Sequence, residues 1–318
     1  DRLGISRLGR GIGPINRVTR GSSTGAREML RVCALLGAAL AAAAGVAPTV
    51  TVSPGVELPM VALGTGSGQH GDVSTATALW LGQAGGVAID TAFVYGDEAA
   101  IAQGVAAARS DRAEIFLETK VPASSYAIAA ERIQSNLKDL NTPYTDVLLI
   151  HYPGTLSENA ATWRALEDAL DANLTRAIGV SNFGIPHLTA LATQARYSPS
   201  INQCELSVSF HDDETIKYCR DEGIVYQAFS PLCGGFNGSS CTLAGGINVL
   251  TIPEVHAVAA AHGVSTAQVG LKWIVQQGIP LATSIWTLPY MEEDLDLWSW
   301  GDLADAEMKT LAAVYRPA

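Results

Sequence analysis

Eight short runs of apolar and β-branched residues recur between residues 61 and 283, and longer stretches with helical periodicity separate most of them. Most of the runs are apolar almost throughout, which is typical of parallel strands buried on both faces. This alternation of strands and helices predicts an α/β fold. The predicted strands are Val61–Leu63, Val87–Asp90, Ile115–Lys120, Asp146–His151, Ala177–Ser181, Ile201–Glu205, Ile224–Phe229 and Leu281–Thr283.

The stretches between the strands carry the end signals of helices. Ser74 stands at an N-cap position, and residues 265–268 have the spacing of a capping box. Glycines stand where four of the helices are expected to end: Gly85, Gly223, Gly263 and Gly278. The predicted helices are Ser74–Ala84, Glu98–Ala108, Tyr126–Leu140, Asn159–Ala172, Pro186–Ala195, Asp213–Glu222, Pro253–His262 and Thr266–Gln277.

Eight strands favour a closed (β/α)8 TIM barrel over an open doubly wound sheet. The composition agrees, since 48% of the 318 residues are hydrophobic and 16% are charged, which suits a large buried core. An opening β-hairpin, Thr49–Val52 with Glu57–Met60, is expected to close the bottom of the barrel. We therefore assign residues 48–318 to one barrel domain.

Residues 1–47 are predicted to lie outside the fold, as a targeting leader or an upstream segment. Met29-Leu30-Arg31 precedes the apolar run Val32–Ala44, and small residues follow, which is the layout of a secretory signal peptide. The excess of arginine over acidic residues in this segment also fits an organelle transit peptide. We expect the secretory pathway or an organelle, with the cytoplasm as the alternative, and no membrane attachment of the mature form.

The charge distribution excludes one class of partner. Seven of the 20 basic and two of the 31 acidic residues lie in residues 1–47, so the remainder holds 13 basic and 29 acidic residues, a net charge of −16. A domain this acidic repels phosphate backbones, so we expect no nucleic-acid partner. No Cys or His pair has the spacing of a metal site. Cys233 and Cys241 bracket one loop and could form a disulfide in an oxidising compartment.

Polar residues stand at or near the ends of several predicted strands. Reactive residues of a barrel sit at the C-terminal ends of its strands, so these side chains are expected to gather at one mouth. They are Asp90, Lys120, His151, Ser181, Asn182, Gln203 and Glu205.

These residue types match the needs of carbonyl reduction. When hydride goes to carbon, negative charge develops on oxygen, and a proton donor must lie within hydrogen-bond reach. Tyr95 follows Asp90 closely, but a phenol with a pKa of about 10 is a weak acid. A cation such as Lys120 lowers a neighbouring phenol's pKa, and Asp90 would keep that lysine charged. His151 would orient the carbonyl and stabilise its oxygen.

The chain resembles the aldo-keto reductase family from about Thr51 to Tyr315. No single motif is specific, but together, in order and at family-like separations, they are. The motifs are LPMVALGTG, AIDTAFVYGDE (Ala88–Glu98), FLETK (Phe116–Lys120), LLIHYP (Leu148–Pro153), AIGVSNF (Ala177–Phe183), INQCE (Ile201–Glu205), FSPL (Phe229–Leu232) and AQVGLKW (Ala267–Trp273).

The resemblance implies reduction of an aldehyde or ketone with NADP(H) or NAD(H), by an enzyme that we expect to be a monomer. The family's catalytic tetrad falls on Asp90, Tyr95, Lys120 and His151, with Tyr95 giving the proton. Its remaining cofactor contacts fall on carboxamide-binding, stacking and pyrophosphate positions. These are Ser181, Asn182 and Gln203 for the carboxamide, Phe229 for stacking in place of the usual tyrosine, and Ser230 and Leu232 near the pyrophosphate.

The chain departs from the family at the adenosine end. The lysine and arginine that hold the 2′-phosphate of NADP fall on Ser284 and Tyr290, and Glu293 and Asp294 replace a Glu-Asn pair at the adenine. Loss of two charge-assisted contacts predicts a weakened preference for NADP and possible use of NAD. Compensation by Lys272 or Lys217 is the alternative.

Two other functions remain open from sequence alone. A nucleotide-binding sensor of the same fold would turn over weakly, and an aldolase would use Lys120 as a Schiff base. The glycines of GTGSG (Gly64–Gly68) lack the rest of a phosphate-binding motif, so we interpret them as a loop lining the pocket. The large aromatic that the family often has near Gly66 is absent, and the carbonyl substrate is not identified.

Overall fold

The computed structural model describes residues 48–66, 71–233 and 247–315. Eight parallel strands close into a barrel in the order β10-β3-β4-β5-β6-β7-β8-β9. The predicted (β/α)8 barrel is confirmed. The strands, including the opening hairpin of β1 and β2, are β1 Thr49–Ser53, β2 Val56–Pro59, β3 Val61–Gly64, β4 Ala88–Asp90, β5 Phe116–Val121, β6 Thr145–Ile150, β7 Thr175–Ser181, β8 Ile201–Glu205, β9 Val225–Phe229 and β10 Leu281–Thr283.

The antiparallel hairpin plugs the lower end of the barrel, as predicted. Val52, Val56 and Leu58 of the hairpin are buried in one cluster with Phe116 and Ile201, which point into the barrel. Because side chains alternate across a strand, every second residue from these positions also faces the interior. The side chains that face the barrel interior are therefore apolar near the hairpin and polar at the other end of the barrel.

Helices cover the outside of the barrel. The described helices are α1 Val73–Leu79, α2 Glu98–Ala108, α3 Tyr126–Asp139, α4 Leu156–Asp171, α5 Ile185–Ala192, α6 Asp213–Glu222, α7 Pro253–His262, α8 Thr266–Val275, α9 Leu288–Leu295 and α10 Asp305–Ala312. The last two were not predicted from sequence. No helix in the described ranges is long and apolar enough to cross a membrane.

The helix ends follow their capping chemistry. The predicted capping box of Ser265 and Gln268 starts α8, and Gly85, Gly223 and Gly263 take left-handed conformations at C-caps. Gly278 also has a positive φ but lies beyond the C-cap of α8. The prediction for α4 was wrong at its start, because an unrecognised capping box between Thr155 and Glu158 begins the helix earlier.

The prediction for the first helix was right at its C-terminal end, Ala84, but wrong at its N-cap. Asp72, not Ser74, is the N-cap of α1, and its carboxylate accepts a hydrogen bond from the Ser74 backbone. After Leu79 the helix widens into a π-turn at residues 80–84. This turn starts at the buried Trp80, whose Nε1 donates to the Ala88 carbonyl at 2.9 Å. A wide turn holding a buried indole is a tertiary feature that periodicity does not reveal.

Several predictions concern residues outside the described ranges. They are the leader at residues 1–47, the part of the glycine loop that follows Gly66, and Cys241. Cys233 is disulfide-bonded, and Cys204 and Cys219 are free thiols.

Candidate active site

A buried ion pair lies at the base of the cavity formed by the C-terminal ends of the barrel strands. Lys120, the fifth residue of β5, is 1% exposed, and its Nζ lies 2.5 Å from Oδ1 of Asp90 at the end of β4. The same ammonium donates to the backbone carbonyl of Thr91 at 3.0 Å. Neighbouring strands β4 and β5 pair in register, so the fold itself brings these two side chains together.

Tyr95 lies above this pair. A short 3-10 turn, Phe93–Tyr95, follows β4 and ends at Gly96 in a left-handed conformation. The Lys120 Nζ is 5.5 Å from the centre of the Tyr95 ring. The Tyr95 hydroxyl lies 3.4 Å from Nε2 of His151, and the two rings meet edge to face. The tyrosine is therefore within reach of both the cation and the histidine.

The protonation states of these groups follow from burial and charge. Burial raises the pKa of Tyr95 above its ordinary value, while the charge of Lys120 acts in the opposite direction. Burial alone would lower the pKa of Lys120, but Asp90, Tyr95 and Glu118 outweigh it and raise that pKa. Burial and the nearby Lys120 lower the pKa of His151 to about 3, so its imidazole is neutral at physiological pH.

Lys120 thus lowers the pKa of Tyr95, as expected, but burial raises that pKa by more. In this structure, burial dominates, and the phenol is a weaker acid than a free tyrosine. The hydroxyl stays protonated at neutral pH, which is the state that a proton donor needs.

Three polar side chains form the opposite wall. The Ser181 hydroxyl donates to the backbone carbonyl of Gln203 at 2.8 Å, and Asn182 Nδ2 donates to the backbone carbonyl of His151 at 2.9 Å. Asn182 has a φ of 64°, a left-handed conformation that asparagine tolerates better than most residues. No described residue donates to the side-chain oxygen of Asn182 or Gln203, so both can accept from the NH2 of a carboxamide.

These groups line one cavity of about 390 Å³. The sequence-predicted residues Asp90, Tyr95, His151, Ser181, Asn182, Gln203, Phe229, Ser230 and Ser284 all line it, and Lys120 lies against Asp90. The remaining lining residues are Gly64 and Gly66, which were expected in a pocket-lining loop, and Val94, Tyr152, Pro231 and Ala282, which sequence reasoning did not assign to the site.

Two predicted cofactor residues are not among those lining the cavity. Leu232 packs against the core, beside Gly270 of α8. Glu293 of α9 accepts a hydrogen bond from the Ser265 hydroxyl at the start of α8. Its neighbour Asp294 is buried and accepts from the Thr283 hydroxyl at 2.8 Å. Both acidic residues at the expected adenosine end are therefore bonded within the protein.

Neither lysine proposed as a substitute for the missing phosphate clamp is available. Lys272 is buried, donates to the Leu297 carbonyl at 2.9 Å and lies 2.8 Å from Asp302. Lys217 pairs with Asp221 one turn further along the exposed face of α6. Lys272 is also the only lysine or arginine between Arg220 and Lys309 in the sequence.

Two buried residues of the site were not recognised from sequence. Glu118 of β5 and Gln227 of β9 point into the barrel beneath Asp90 and Lys120, and Gln227 Nε2 donates to Glu118 at 3.0 Å. Alternation along FLETK is a signal for Glu118, since it stands two residues before Lys120 and so shares its face. Glu205, which sequence placed at the mouth, is buried with both carboxylate oxygens lacking a hydrogen-bond partner, and burial raises its pKa.

Among the described residues, no three His, Cys, Asp or Glu side chains cluster in a way that suits a metal ion. The chemistry of the cavity is that of a phenol, a neutral imidazole, a buried ion pair and amide oxygens. This set suits proton transfer to a carbonyl oxygen and binding of a carboxamide.

Comparison with known proteins agrees with this chemistry. The Aldo/keto reductase family model matches residues 63–316. NADPH-dependent codeinone reductase 1-3 from Papaver somniferum is 28% identical over 84% of this chain and 89% of its own length. D-galacturonate reductase from Fragaria ananassa is 30% identical over 80% of this chain and 87% of its own.

Solved structures give the same picture. An aldo-keto reductase from Bombyx mori in complex with NADP has a TM-score of 0.76 and 28% identity, covering 85% of this chain and 93% of its own. An aldo/keto reductase from Brucella melitensis has a TM-score of 0.77 and 27% identity over 84% and 99%. These relatives do not favour the alternatives of a sensor or an aldolase. The chain belongs to the aldo/keto reductase family, and it is an oxidoreductase that reduces carbonyl groups with NADP(H) or NAD(H).

Proposed function

We propose that Tyr95 gives the proton in this reduction, supported by Lys120 and Asp90, and that His151 orients the carbonyl. The observation that carries the proposal is the 3.4 Å separation of the Tyr95 hydroxyl and His151 Nε2 at the wall of one cavity. A carbonyl oxygen in the cavity, within hydrogen-bond reach of both atoms, would meet an acid and a neutral hydrogen-bond donor at once. The bound nicotinamide supplies the hydride to the carbonyl carbon.

The states of the side chains support these roles. A raised pKa keeps the Tyr95 proton in place until charge develops on the substrate oxygen. The cation of Lys120, 5.5 Å from the ring, then stabilises the tyrosinate that remains. Asp90 holds the lysine in place and charged, and the lowered pKa of His151 keeps the imidazole neutral.

We propose that Ser181, Asn182, Gln203, Phe229 and Ser230 hold the nicotinamide end of the nucleotide. At the adenosine end, Ser284 and Tyr290 offer no positive charge, and the two candidate substitutes, Lys272 and Lys217, are paired elsewhere. A 2′-phosphate would therefore gain no charge-assisted contact from these positions. NADP preference is expected to be weak, with NAD(H) accepted.

The substrate that fits best is an uncharged carbonyl compound. No lysine or arginine is among the described residues that line the cavity, and the carboxylate of Asp90 at its base is already paired with Lys120. At the rim, Val94 and Tyr152 expose 55% and 47% of their surface, so they offer apolar contacts to the rest of the substrate. A carboxylate on the substrate would find no partner there.

Matched aldehydes test this substrate class. Para-nitrobenzaldehyde and para-carboxybenzaldehyde differ in charge but little in shape. We expect the neutral compound to have a kcat/KM at least about tenfold higher, which corresponds to one lost or repelled charge contact. Equal values, or preference for the carboxylate, would contradict the assignment.

The function itself is tested with the full chain and both reduced nucleotides. Quenching of the six tryptophans gives nucleotide affinity, and loss of nucleotide absorbance with an aldehyde gives turnover. Binding with turnover supports the proposed roles, and the tighter nucleotide decides the preference. Binding without turnover on any of a panel of aldehydes and ketones would contradict them.

We also propose that the protein is a monomer of an oxidising compartment, reached through residues 1–47. The disulfide of Cys233 supports the compartment, since disulfides persist there. Expression in a eukaryotic cell followed by mass spectrometry tests for leader removal and counts free thiols. A cytoplasmic, uncleaved and fully reduced product would contradict the assignment, and sedimentation analysis would settle the oligomeric state.

A further inference from the structure

A buried polar layer lies inside the barrel beneath the catalytic residues. Glu118, Gln203 and Gln227 point to the barrel axis from β5, β8 and β9, and each is at most 2% exposed. Bulky apolar side chains usually fill these layers. Burying a carboxyl and two amides is costly unless their hydrogen bonds are satisfied, so this layer requires an explanation.

The hydrogen bonds of the layer meet at the amide of Gln203. Its Nε2 donates to Asp90 Oδ1 at 3.0 Å and to Glu118 Oε1 at 2.9 Å. Both amide hydrogens are thus donated to carboxyl oxygens. If the amide rotated by 180°, its own oxygen would face those oxygens and repel them. Gln203 also lines the cavity, where no described residue donates to its Oε1.

We propose that Glu118 is a positioning residue for Gln203. Together with Asp90 it fixes the amide plane, so that Oε1 of Gln203 stays available to accept from the carboxamide NH2 of the nicotinamide. This inference rests on the proposed function. Asp90 alone would not be enough, because its Oδ1 also accepts from Lys120, and the amide could pivot about that one shared atom.

The charges around Glu118 are compatible with this role. The titratable groups facing it are Asp90 and Lys120, and the neutral amide of Gln227 binds its second oxygen. Burial and the charge of Asp90 raise the pKa of Glu118 to about 8, although Lys120 acts against this. The raised pKa favours the uncharged form of Glu118, one oxygen of which accepts from Gln203, and the Lys120 ammonium is paired with Asp90.

Three variants separate positioning from a general structural role. Glu118→Gln keeps an acceptor for Gln203 on an uncharged side chain of similar size. Glu118→Leu removes the acceptor at similar volume. Gln227→Leu disturbs the same layer but leaves the contact between Glu118 and Gln203 intact, so it is the matched control.

The readout is equilibrium binding of two nucleotides, measured by tryptophan fluorescence without substrate. One is whichever of NADPH or NADH the wild type binds more tightly, and the other is its acetylpyridine analogue, which lacks the NH2 of the carboxamide. In the wild type, the natural nucleotide should bind at least about tenfold more tightly, as expected for hydrogen bonds from the NH2 to both Asn182 and Gln203. Glu118→Gln and Gln227→Leu should keep this ratio within about twofold.

In Glu118→Leu the ratio should fall by about three- to tenfold, to the level that the contact with Asn182 alone provides, while affinity for the analogue changes little. A folded Glu118→Leu that keeps the wild-type ratio, or weakens both nucleotides equally, would overturn the proposal. If that variant does not fold, Glu118→Met replaces it with a flexible side chain of similar volume. Failure of the wild type to bind either natural nucleotide would instead count against the proposed function.

Discussion

The Nζ atom of Lys120 lies 2.5 Å from Oδ1 of Asp90, and the same oxygen accepts from the amide of Gln203. A single carboxylate oxygen thus joins the cation behind Tyr95 to the wall that is expected to bind the carboxamide. The acid and the cofactor wall are therefore coupled through Asp90. Variants at this residue should affect stability and catalysis together.

Asp90→Asn should leave the Lys120 charge buried without its carboxylate partner. Breaking one side of a buried pair costs about 3–5 kcal/mol, so the free energy of unfolding in urea should fall by that order. Turnover should fall by about a hundredfold or more, since the lysine no longer has a fixed position behind Tyr95. Asp221→Asn breaks the exposed pair with Lys217 and should cost less than about 1 kcal/mol. Equal losses in the two variants would contradict the account.

Gly66→Ala should impair catalysis through Tyr95. A Cβ atom at Gly66 would lie 2.7 Å from the Tyr95 hydroxyl oxygen and 2.5 Å from its ring, so the tyrosine must move. A displacement of about 1 Å can lower kcat about a hundredfold. Gly301→Ala is the control, since nothing lies within 4 Å of the added atom. Unchanged kcat in folded Gly66→Ala would show that the Tyr95 position is not critical.

Restoring basic residues at the adenosine end should restore NADPH preference. Ser284→Lys with Tyr290→Arg puts charge-assisted donors where the family has them. Such hydrogen bonds contribute about 1.5–3 kcal/mol each, so NADPH affinity should rise at least about tenfold while NADH affinity changes little. Parallel fluorescence titrations measure both. A gain for both nucleotides alike would mean that these positions do not face the 2′-phosphate.

Asp294 should make stability depend on pH. Burial raises its pKa from 3.8 to about 7, although the hydrogen bond from Thr283 opposes this. A raised folded-state pKa means that the related stability is present below about pH 4 and is lost as pH rises through about 7. Asp294→Asn keeps an acceptor for Thr283 but removes the titration. The free energy of unfolding of Asp294→Asn minus that of the wild type should therefore increase by roughly 2–3 kcal/mol between pH 5 and pH 8.

Urea unfolding at several pH values provides this comparison. Glu131→Gln, which removes an exposed carboxyl of α3, serves as the control. A constant difference between Asp294→Asn and the wild type across the range would show that Asp294 is ionised in the folded protein at all these pH values.

Much of the fold could be predicted because strand and helix periodicities are local. All eight barrel strands and the hairpin were found, with boundaries within two residues. Helices α9 and α10 were missed, because each spans only eight residues, little more than two turns, and so shows weak helical periodicity. The π-turn at Trp80 depends on burial of one indole against a neighbouring strand, which local patterns do not encode.

The candidate site could be predicted where it depends on strand ends, because the barrel brings those ends together. Asp90, Tyr95, Lys120 and His151 lie together for this reason. Hydrogen-bond partners across the barrel could not be predicted, because they lie far apart in the sequence. The contact between Gln203 and Glu118 joins residues 85 positions apart, and the contact of Glu293 with Ser265 removes a predicted cofactor residue from the cavity.

The central claim is that Tyr95 is the proton donor, and Tyr95→Phe tests it most directly. This variant removes one oxygen atom and keeps the ring that packs beside Lys120 and His151. The measurement is turnover of a neutral aldehyde together with the dissociation constant of the preferred nucleotide. The account predicts a kcat lower by about a thousandfold with nucleotide affinity unchanged within about twofold. Turnover within about tenfold of the wild type by a folded, nucleotide-binding variant would contradict it.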